Sequence, residues 1–304
     1  NLTMGGTGKT PVVDWIIDFF EQQNIQAAVV SRNWKARLQS TARIDLLSVP
    51  RPAEFYGDEP VWLQKRHPLL SVWVGPSKLK TAQLLMSHEN PDVIVIDDGF
   101  QHRKLDRDLD IVVMDAMAKK MAYWPFPIGQ GREGLASLDR ADIVILTNCH
   151  VATPDQISSI RSKLPKHLLV AEAELKLRGF RRLHAQDYFE PEHFKNKRAV
   201  AFCGIGNPNR FQNTLTQDCA LDLMAFRPFS DHQSYDIQTI KDIETWAASH
   251  QAQVLFTTEK DAVKLEEQGG FSIKEIFVVE MQLSFLSPIE PIRHALRDMV
   301  NRKS

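Results

Sequence analysis

The chain reads as an α/β protein: a mostly parallel sheet with flanking helices, followed by a smaller α/β domain. Three observations predict this. Short runs rich in β-branched residues, at 26–31, 93–96, 110–114 and 142–146, have the character of strands covered on both faces. Segments with helical spacing of apolar residues, such as 60–67 and 78–87, lie between them, and strands alternating with helices argue for an open parallel sheet. A glycine-rich turn, Gly5-Gly-Thr-Gly-Lys-Thr10, opens an amphipathic segment over 11–20.

That turn comes first in the chain and is the strongest chemical signal. Its glycines let backbone N–H groups close around phosphate oxygens. Thr3, Met4, Gly5, Gly6, Thr7 and Gly8 are therefore expected to wrap a nucleoside triphosphate, with Lys9 reaching the outer phosphates and the Thr10 hydroxyl on a magnesium ion. A helix N-terminus behind such a loop is itself an anion site. The strict pattern has glycine five places before Gly8, where Thr3 stands. A phosphate loop follows a buried strand, so a strand is expected ahead of Asn1.

Open parallel sheets bind ligands beyond the carboxyl ends of their strands, and the candidate residues follow that rule. The run 93–96 delivers Asp97 and Asp98, a carboxylate pair placed where phosphate-loop proteins meet magnesium; solvated acids opening a turn are the alternative. The next loop brings Gln101 and His102, suited to contacting phosphate or orienting the acids. Asp58, in Tyr56-Gly-Asp-Glu-Pro60, either caps the following helix or stands near the γ-phosphate as a proton acceptor. In Gly131-Arg-Glu-Gly134, Arg132 is placed to neutralise phosphate charge and Glu133 to organise partners, unless the pair is simply exposed.

After Thr147 the texture changes. Residues 154–164 read as a helix, 168–175 as an extended stretch running into the basic tract 176–182, and 199–214 as strand, turn and helix, with further strands at 254–257 and 276–279. The sequence therefore divides into a phosphate-loop (P-loop NTPase-type) core over 1–173, a smaller lid or substrate domain over 174–286, and a last helix within 287–304 packing back on the core. In the second domain Asp231 and His232 form an acid–histidine pair able to tune a base, although a lone histidine is more often structural. Lys260 and Lys264 follow a strand as anion contacts, or as part of an ordinary helix start.

Composition excludes several classes. Hydrophobic residues at 43% and charged ones at 25% suit a globular chain with ample core, and a formal charge of −1 gives no reason to expect nucleic acid as a partner. The three cysteines, Cys149, Cys203 and Cys219, lack metal-ligand spacing, so buried thiols are expected. No apolar run approaches the ~18 residues needed to span a bilayer.

Together these segments resemble the tetraacyldisaccharide 4′-kinase family of lipid A synthesis in Gram-negative bacteria. The carrying strings are Gly5-Gly-Thr-Gly-Lys-Thr-Pro11, Tyr56-Gly-Asp-Glu-Pro60, Asp97-Asp-Gly-Phe-Gln-His-Arg103, Arg132-Glu133, Leu146-Thr-Asn148, Ala201-Phe-Cys-Gly-Ile-Gly-Asn-Pro208, Asp231-His232 and Thr257-Thr-Glu-Lys-Asp-Ala-Val-Lys264. They span nearly the whole chain, and the Asp-Asp-Gly-Phe-Gln-His string is the most specific. The resemblance implies a P-loop core and smaller domain joined by a two-stranded linker, with ATP and Mg²⁺ as cofactors. The implied reaction moves the γ-phosphoryl group to the 4′-hydroxyl of an acylated glucosamine disaccharide 1-phosphate. It gives Asp58 the role of catalytic base and His232 that of its support from the second domain, an arrangement that would couple chemistry to domain closure. Lys9 and Thr10 serve ATP and Mg²⁺, Asp97 and Asp98 form the metal-side pair, and Gln101, His102, Arg132 and Glu133 line the site. It also implies a peripheral location on the cytoplasmic face of the inner membrane, through an apolar segment ahead of Asn1; the chain without that segment is expected to be soluble.

There are departures. The family's glycine-rich Ser-Arg-Gly-Tyr-Gly-Gly is here Ser31-Arg-Asn-Trp-Lys-Ala36, and Gln233 stands where a second histidine or an aromatic is usual. Larger residues where the backbone turns tightly predict a different loop. A catalytically impaired nucleotide-binding fragment, or another P-loop ATPase, is the competing expectation.

Overall fold

The structure is a computed structural model of the 304-residue chain. It describes every residue except 1, 3–7, 34–35, 119–122, 124–128, 130, 270, 272, 274 and 303–304. In chain order the elements are α1 (Lys9–Gln22), β1 (Ala27–Arg32), β2 (Ala42–Arg43), α2 (Pro52–Tyr56), α3 (Asp58–Arg66), β3 (Ser71–Gly75), α4 (Lys78–His88), β4 (Val93–Ile96), β5 (Ile111–Asp115) and β6 (Ile143–Thr147). They continue with α5 (Pro154–Arg161), β7 (Leu169–Arg182), β8 (Tyr188–Phe189), β9 (Ala199–Cys203), α6 (Pro208–Asn213), β10 (Leu223–Pro228), α7 (Ile237–Ser249), β11 (Val254–Thr258), α8 (Glu259–Gln268), β12 (Ile276–Phe285) and α9 (Glu290–Asn301). The fold is the expected α/β class with mostly parallel pairing.

These elements form two compact units: Asn1–Arg32, Ser77–Lys176 and Gln282–Ser304 make the first, and Asn33–Pro76 with Leu177–Met281 make the second. The sequence assigns all of 1–173 to the core; the structure gives 33–76 to the second unit instead. The chain consequently passes between units at four points, after Arg32, Pro76, Lys176 and Met281, rather than through a two-stranded linker alone. The cause is side-chain chemistry on α8. Ala53 N–H donates to Glu267 Oε1 at 2.7 Å, Trp62 Nε1 to Glu259 Oε1 at 3.3 Å, and Lys65 Nζ to Glu266 Oε2 at 3.1 Å. No local pattern in 52–66 announces partners some 200 residues away.

In the first unit β1 pairs parallel with β4, and β5, β6 and β7 pair parallel in that order. β6 is buried throughout, as its Ile-Val-Ile-Leu-Thr run requires. β4 differs from expectation: all four of its residues are only half-buried, and among the described residues it is the terminal strand of its sheet. α1 buries Val12, Ile16, Phe19 and Phe20, one stripe at helical spacing, against Val113, Ile143 and Ile145. α9 adds Ile292 and Leu296 to the same core.

In the second unit β10, β9, β11 and β12 pair parallel in that order, and β8 closes antiparallel on β7. One face packs Phe180, Phe194, Phe256 and Phe277; the other packs Phe202, Tyr235, Ile240 and Leu255 beneath α7 and α8. β9 and β11, covered on both faces, are buried at every position. Each ends in a loop or cap that carries chemistry.

Candidate active site

The candidate residues fall into two groups, one in each unit. Thr3, Met4, Gly5, Gly6 and Thr7 lie outside the described residues, as do Trp34 and Lys35 of the altered loop. The described part of the phosphate loop begins at Gly8, the N-cap of α1, with φ +88°. A side chain there would be strained, and its Cβ would stand 3.3 Å from Thr147 Cγ2. Glycine is required at that point both by the turn and by the close approach of β6.

Lys9 and Thr10 open α1, and Lys9 Nζ lies 3.3 Å from Asp98 Oδ1. Asp98 follows β4 in the left-handed region, φ +54°. Arg132 Nη1 reaches Asp98 Oδ2 at 2.5 Å, and the Lys78 ammonium donates to the Asp98 carbonyl. Burial alone would raise the Asp98 pKa; Lys9, Arg132 and Lys78 outweigh it and hold the carboxyl well below its usual range. Asp97 is engaged differently, its Oδ2 accepting from Ser31 Oγ at 3.0 Å.

Among the described residues Asp98 Oδ1 is buried without a hydrogen-bond partner, and Lys9 Nζ pairs with it at 3.3 Å. A buried carboxylate oxygen in that state is the hard donor that Mg²⁺ takes, and the hydroxyl of Thr10, next to Lys9 in the first turn of α1, is a donor of the same kind, so the residue types fit the ion.

Lys78 was not singled out by sequence. It is 2% exposed at the start of α4, and burial pushes its ammonium pKa down while Asp98 and Asp97 oppose that shift. A serine N-cap before an amphipathic helix made it look like an ordinary first-turn residue; only its burial beside Asp98 marks it. Glu133 is neither solvent-facing nor aimed at Asp98: it pairs with Arg140 at 2.8 Å and Arg103 at 3.5 Å. Gln101 is half-buried. His102 is exposed, and burial together with Lys78 lowers its imidazole pKa.

The second unit holds the other group. Asp58 is the first residue of α3, where Gly57 is the N-cap, and of its own helix it binds only the Glu59 N–H, at 3.0 Å. Helix capping therefore does not account for it. His232 Nδ1 lies 2.9 Å from Asp58 Oδ2 and 3.2 Å from Oδ1. The sequence placed these two residues in different domains; both belong to the second unit. A ring nitrogen facing a carboxylate is the donor, and the far nitrogen, Nε2, lies 3.4 Å from Lys260 Nζ. Lys264 Nζ is 3.6 Å from Asp58 Oδ2, and Lys260 pairs with Glu59 at 3.1 Å and Asp231 at 3.5 Å. Burial pushes the Asp58 pKa up, but the His232 hydrogen bond and the charges of Lys260, His232 and Lys264 bring it down to about 2. Asp58 is thus an ionised, buried carboxylate with an oriented imidazole on it, the arrangement of an acid–base pair.

The chain is similar to known proteins along nearly its whole length. A tetraacyldisaccharide 4′-kinase of Bdellovibrio bacteriovorus is 34% identical over 88% of this chain and 78% of its own. One of Geobacter metallireducens is 35% identical over 95% of this chain and 84% of its own. Among solved structures, LpxK from Aquifex aeolicus, described as an "apo" form in complex with ATP, superposes with a TM-score of 0.76 at 23% identity, covering 99% of this chain and 86% of that one. The family model LpxK, tetraacyldisaccharide-1-P 4′-kinase, matches residues 1–301, and the chain belongs to that family.

Proposed function

We propose that the protein transfers the γ-phosphoryl group of ATP to the 4′-hydroxyl of a tetraacylated glucosamine disaccharide 1-phosphate, a step of lipid A synthesis. The observation that carries this reading is the Asp58–His232 contact, an acid–base pair suited to an alcohol acceptor, in a chain that also presents a phosphate-loop lysine. Phosphoryl transfer asks little covalent work of a protein beyond positioning and neutralising charge. Lys9 and Arg132 supply positive charge for phosphate oxygens, and Lys78 fixes the Asp98 backbone behind them.

Thr10 and Asp98, with Asp97 behind, are the residues that would hold Mg²⁺, which when bound neutralises charge on the β- and γ-phosphates. Of the two acids, Asp98 Oδ1 is the candidate direct ligand, since Asp97 Oδ2 already accepts from Ser31. The acceptor hydroxyl gives its proton to the Asp58–His232 pair. Its oxygen bonds to the γ-phosphorus as the bond to the β,γ-bridging oxygen breaks, and ADP leaves. The acceptor is a lipid, so the work is done at a membrane surface, the cytoplasmic face of the inner membrane. Among the described residues no helix is long and apolar enough to cross a bilayer.

The test is ATP turnover with and without the acylated disaccharide phosphate, with the product's new phosphate located by mass spectrometry and ³¹P NMR. Turnover that requires the lipid and yields a 4′-phosphate supports the reading. ATP hydrolysis indifferent to the lipid, or none at all, overturns it in favour of another P-loop ATPase or an impaired nucleotide-binding protein.

A further inference from the structure

Asp261 has no solvent exposure and lies in the first turn of α8, on the side of the second unit that carries His232. Its Oδ2 accepts from Gly204 N–H at 2.9 Å and from Thr258 Oγ1 at 2.6 Å; its Oδ1 accepts from Tyr235 OH at 2.9 Å. Lys264 Nζ stands 3.7 Å from Oδ1. Helix capping explains only part of this. Thr258 is the N-cap and its Oγ1 accepts the Asp261 N–H, whereas Gly204 and Tyr235 arrive from separate segments of the chain.

We propose that Asp261 is a positioning residue for the Asp58–His232 pair, acting along two routes. The first runs through the backbone. Gly204, bound to Asp261 by its N–H, accepts the His232 N–H on its carbonyl at 3.2 Å. His232 has φ +64°, a left-handed conformation that is unfavourable for a residue with a Cβ and persists only when neighbours impose it. The turn packs closely on Gly204: a Cβ there would meet Gln233 Cβ at 2.8 Å, and Asp261 Oδ1 and Ser230 O at 3.1 Å. The second route runs through Lys264. Its ammonium donates to Gln233 O at 2.7 Å and stands between two carboxylates, Asp261 and Asp58. One buried carboxylate thereby ties down the turn that presents His232 and the lysine that faces Asp58.

This inference rests on the reading of Asp58 and His232 as the acid–base pair, and its experiment separates the two. In the full chain, the Nδ1 proton of His232, held on a carboxylate, gives a downfield ¹H NMR resonance identified by its loss in His232→Gln. Asp261→Asn keeps the shape but removes the charge and turns one acceptor into a donor. It is expected to move or broaden that resonance and to lower kcat by about 10–100-fold, the effect of misplacing a reacting group by a fraction of an ångström, with KM for ATP nearly unchanged. Gly204→Ala, which pushes on the same turn from the other side, is expected to do likewise. If Asp261→Asn does not fold by circular dichroism, Lys264→Gln and Tyr235→Phe are read in its place. An unmoved resonance with kcat intact, or a loss of kcat with an unmoved resonance, overturns the positioning role. Wild-type protein that shows the resonance but no kinase turnover would sink the proposed function and not this geometry.

Discussion

His232 Nδ1 and Asp58 Oδ2 lie 2.9 Å apart although 174 residues separate them in sequence. The contact joins the first residue of α3 to a turn after β10, and a carboxylate that is 7% exposed to an imidazole with its far nitrogen facing Lys260. On the proposed reading the two groups act as one unit, so removing either is expected to disable both. Asp58→Asn and His232→Gln are each expected to lower kcat by about 10²–10⁴-fold, the span of positioned acid–base catalysis. The double variant is expected to lose little more than the worse single one. Steady-state kinetics of the four proteins checks it; fully additive losses would show that the pair does not share a proton.

The same contact makes stability depend on pH. The folded Asp58 pKa of about 2 lies below the ordinary 3.8, so its ionised form stabilises the fold above pH ~4 and that contribution disappears as pH falls through 2. The difference corresponds to about 2 kcal/mol. Urea unfolding at pH 6, 4 and 2.5 is expected to show wild type losing most, not all, of that increment relative to Asp58→Asn by pH 2.5.

Glu267 behaves in the opposite sense. Burial raises its pKa from 4.5 to about 7, against the Ala53 N–H bond and Lys65, and with help from Glu266 and Glu54. A raised carboxyl pKa adds stability below pH ~4.5 that is lost as pH rises through 7. Glu267→Gln keeps an acceptor for Ala53 N–H and is expected to match wild type near pH 4. At pH 8 it should exceed wild type by on the order of 1 kcal/mol, read from the midpoint of thermal or urea unfolding. A variant weaker than wild type at both pH values would show that the charge is not under strain.

Lys78 offers a test of the phosphate side. Lys78→Met leaves a helix of similar volume but removes the ammonium from the Asp98 carbonyl. Hydrogen bonds to charged groups are worth roughly 1.5–3 kcal/mol, so kcat/KM for ATP is expected to fall at least about tenfold. Arg132→Lys keeps the charge yet loses the planar fork that meets Asp98 Oδ2, and is expected to fall in the same direction by less. ATP affinity measured by calorimetry separates lost binding from lost turnover.

What the sequence determined by itself was local. The glycine at position 8, the uniformly apolar run of β6, the helical stripe of α1 and the acids that follow β4 all record constraints on backbone conformation or periodicity, and these are written in neighbouring residues. The resemblance carried the family because several such strings occur in one order. What only the tertiary structure decided was partnership. Segment 33–76 joins the second unit because Ala53, Trp62 and Lys65 meet the acids of α8, and that changes Asp58 and His232 from residues expected in different domains into members of one unit. Lys78 became part of the phosphate side only through its burial against Asp98, and Asp261 emerged from an ordinary helix start only through Gly204, Tyr235 and Lys264. The physical reason is the same in each case. Periodicity states which side of an element is apolar, but the choice of polar partner across 20 to 200 residues is made by packing, where burial removes water and each carboxylate must find its donors within the protein.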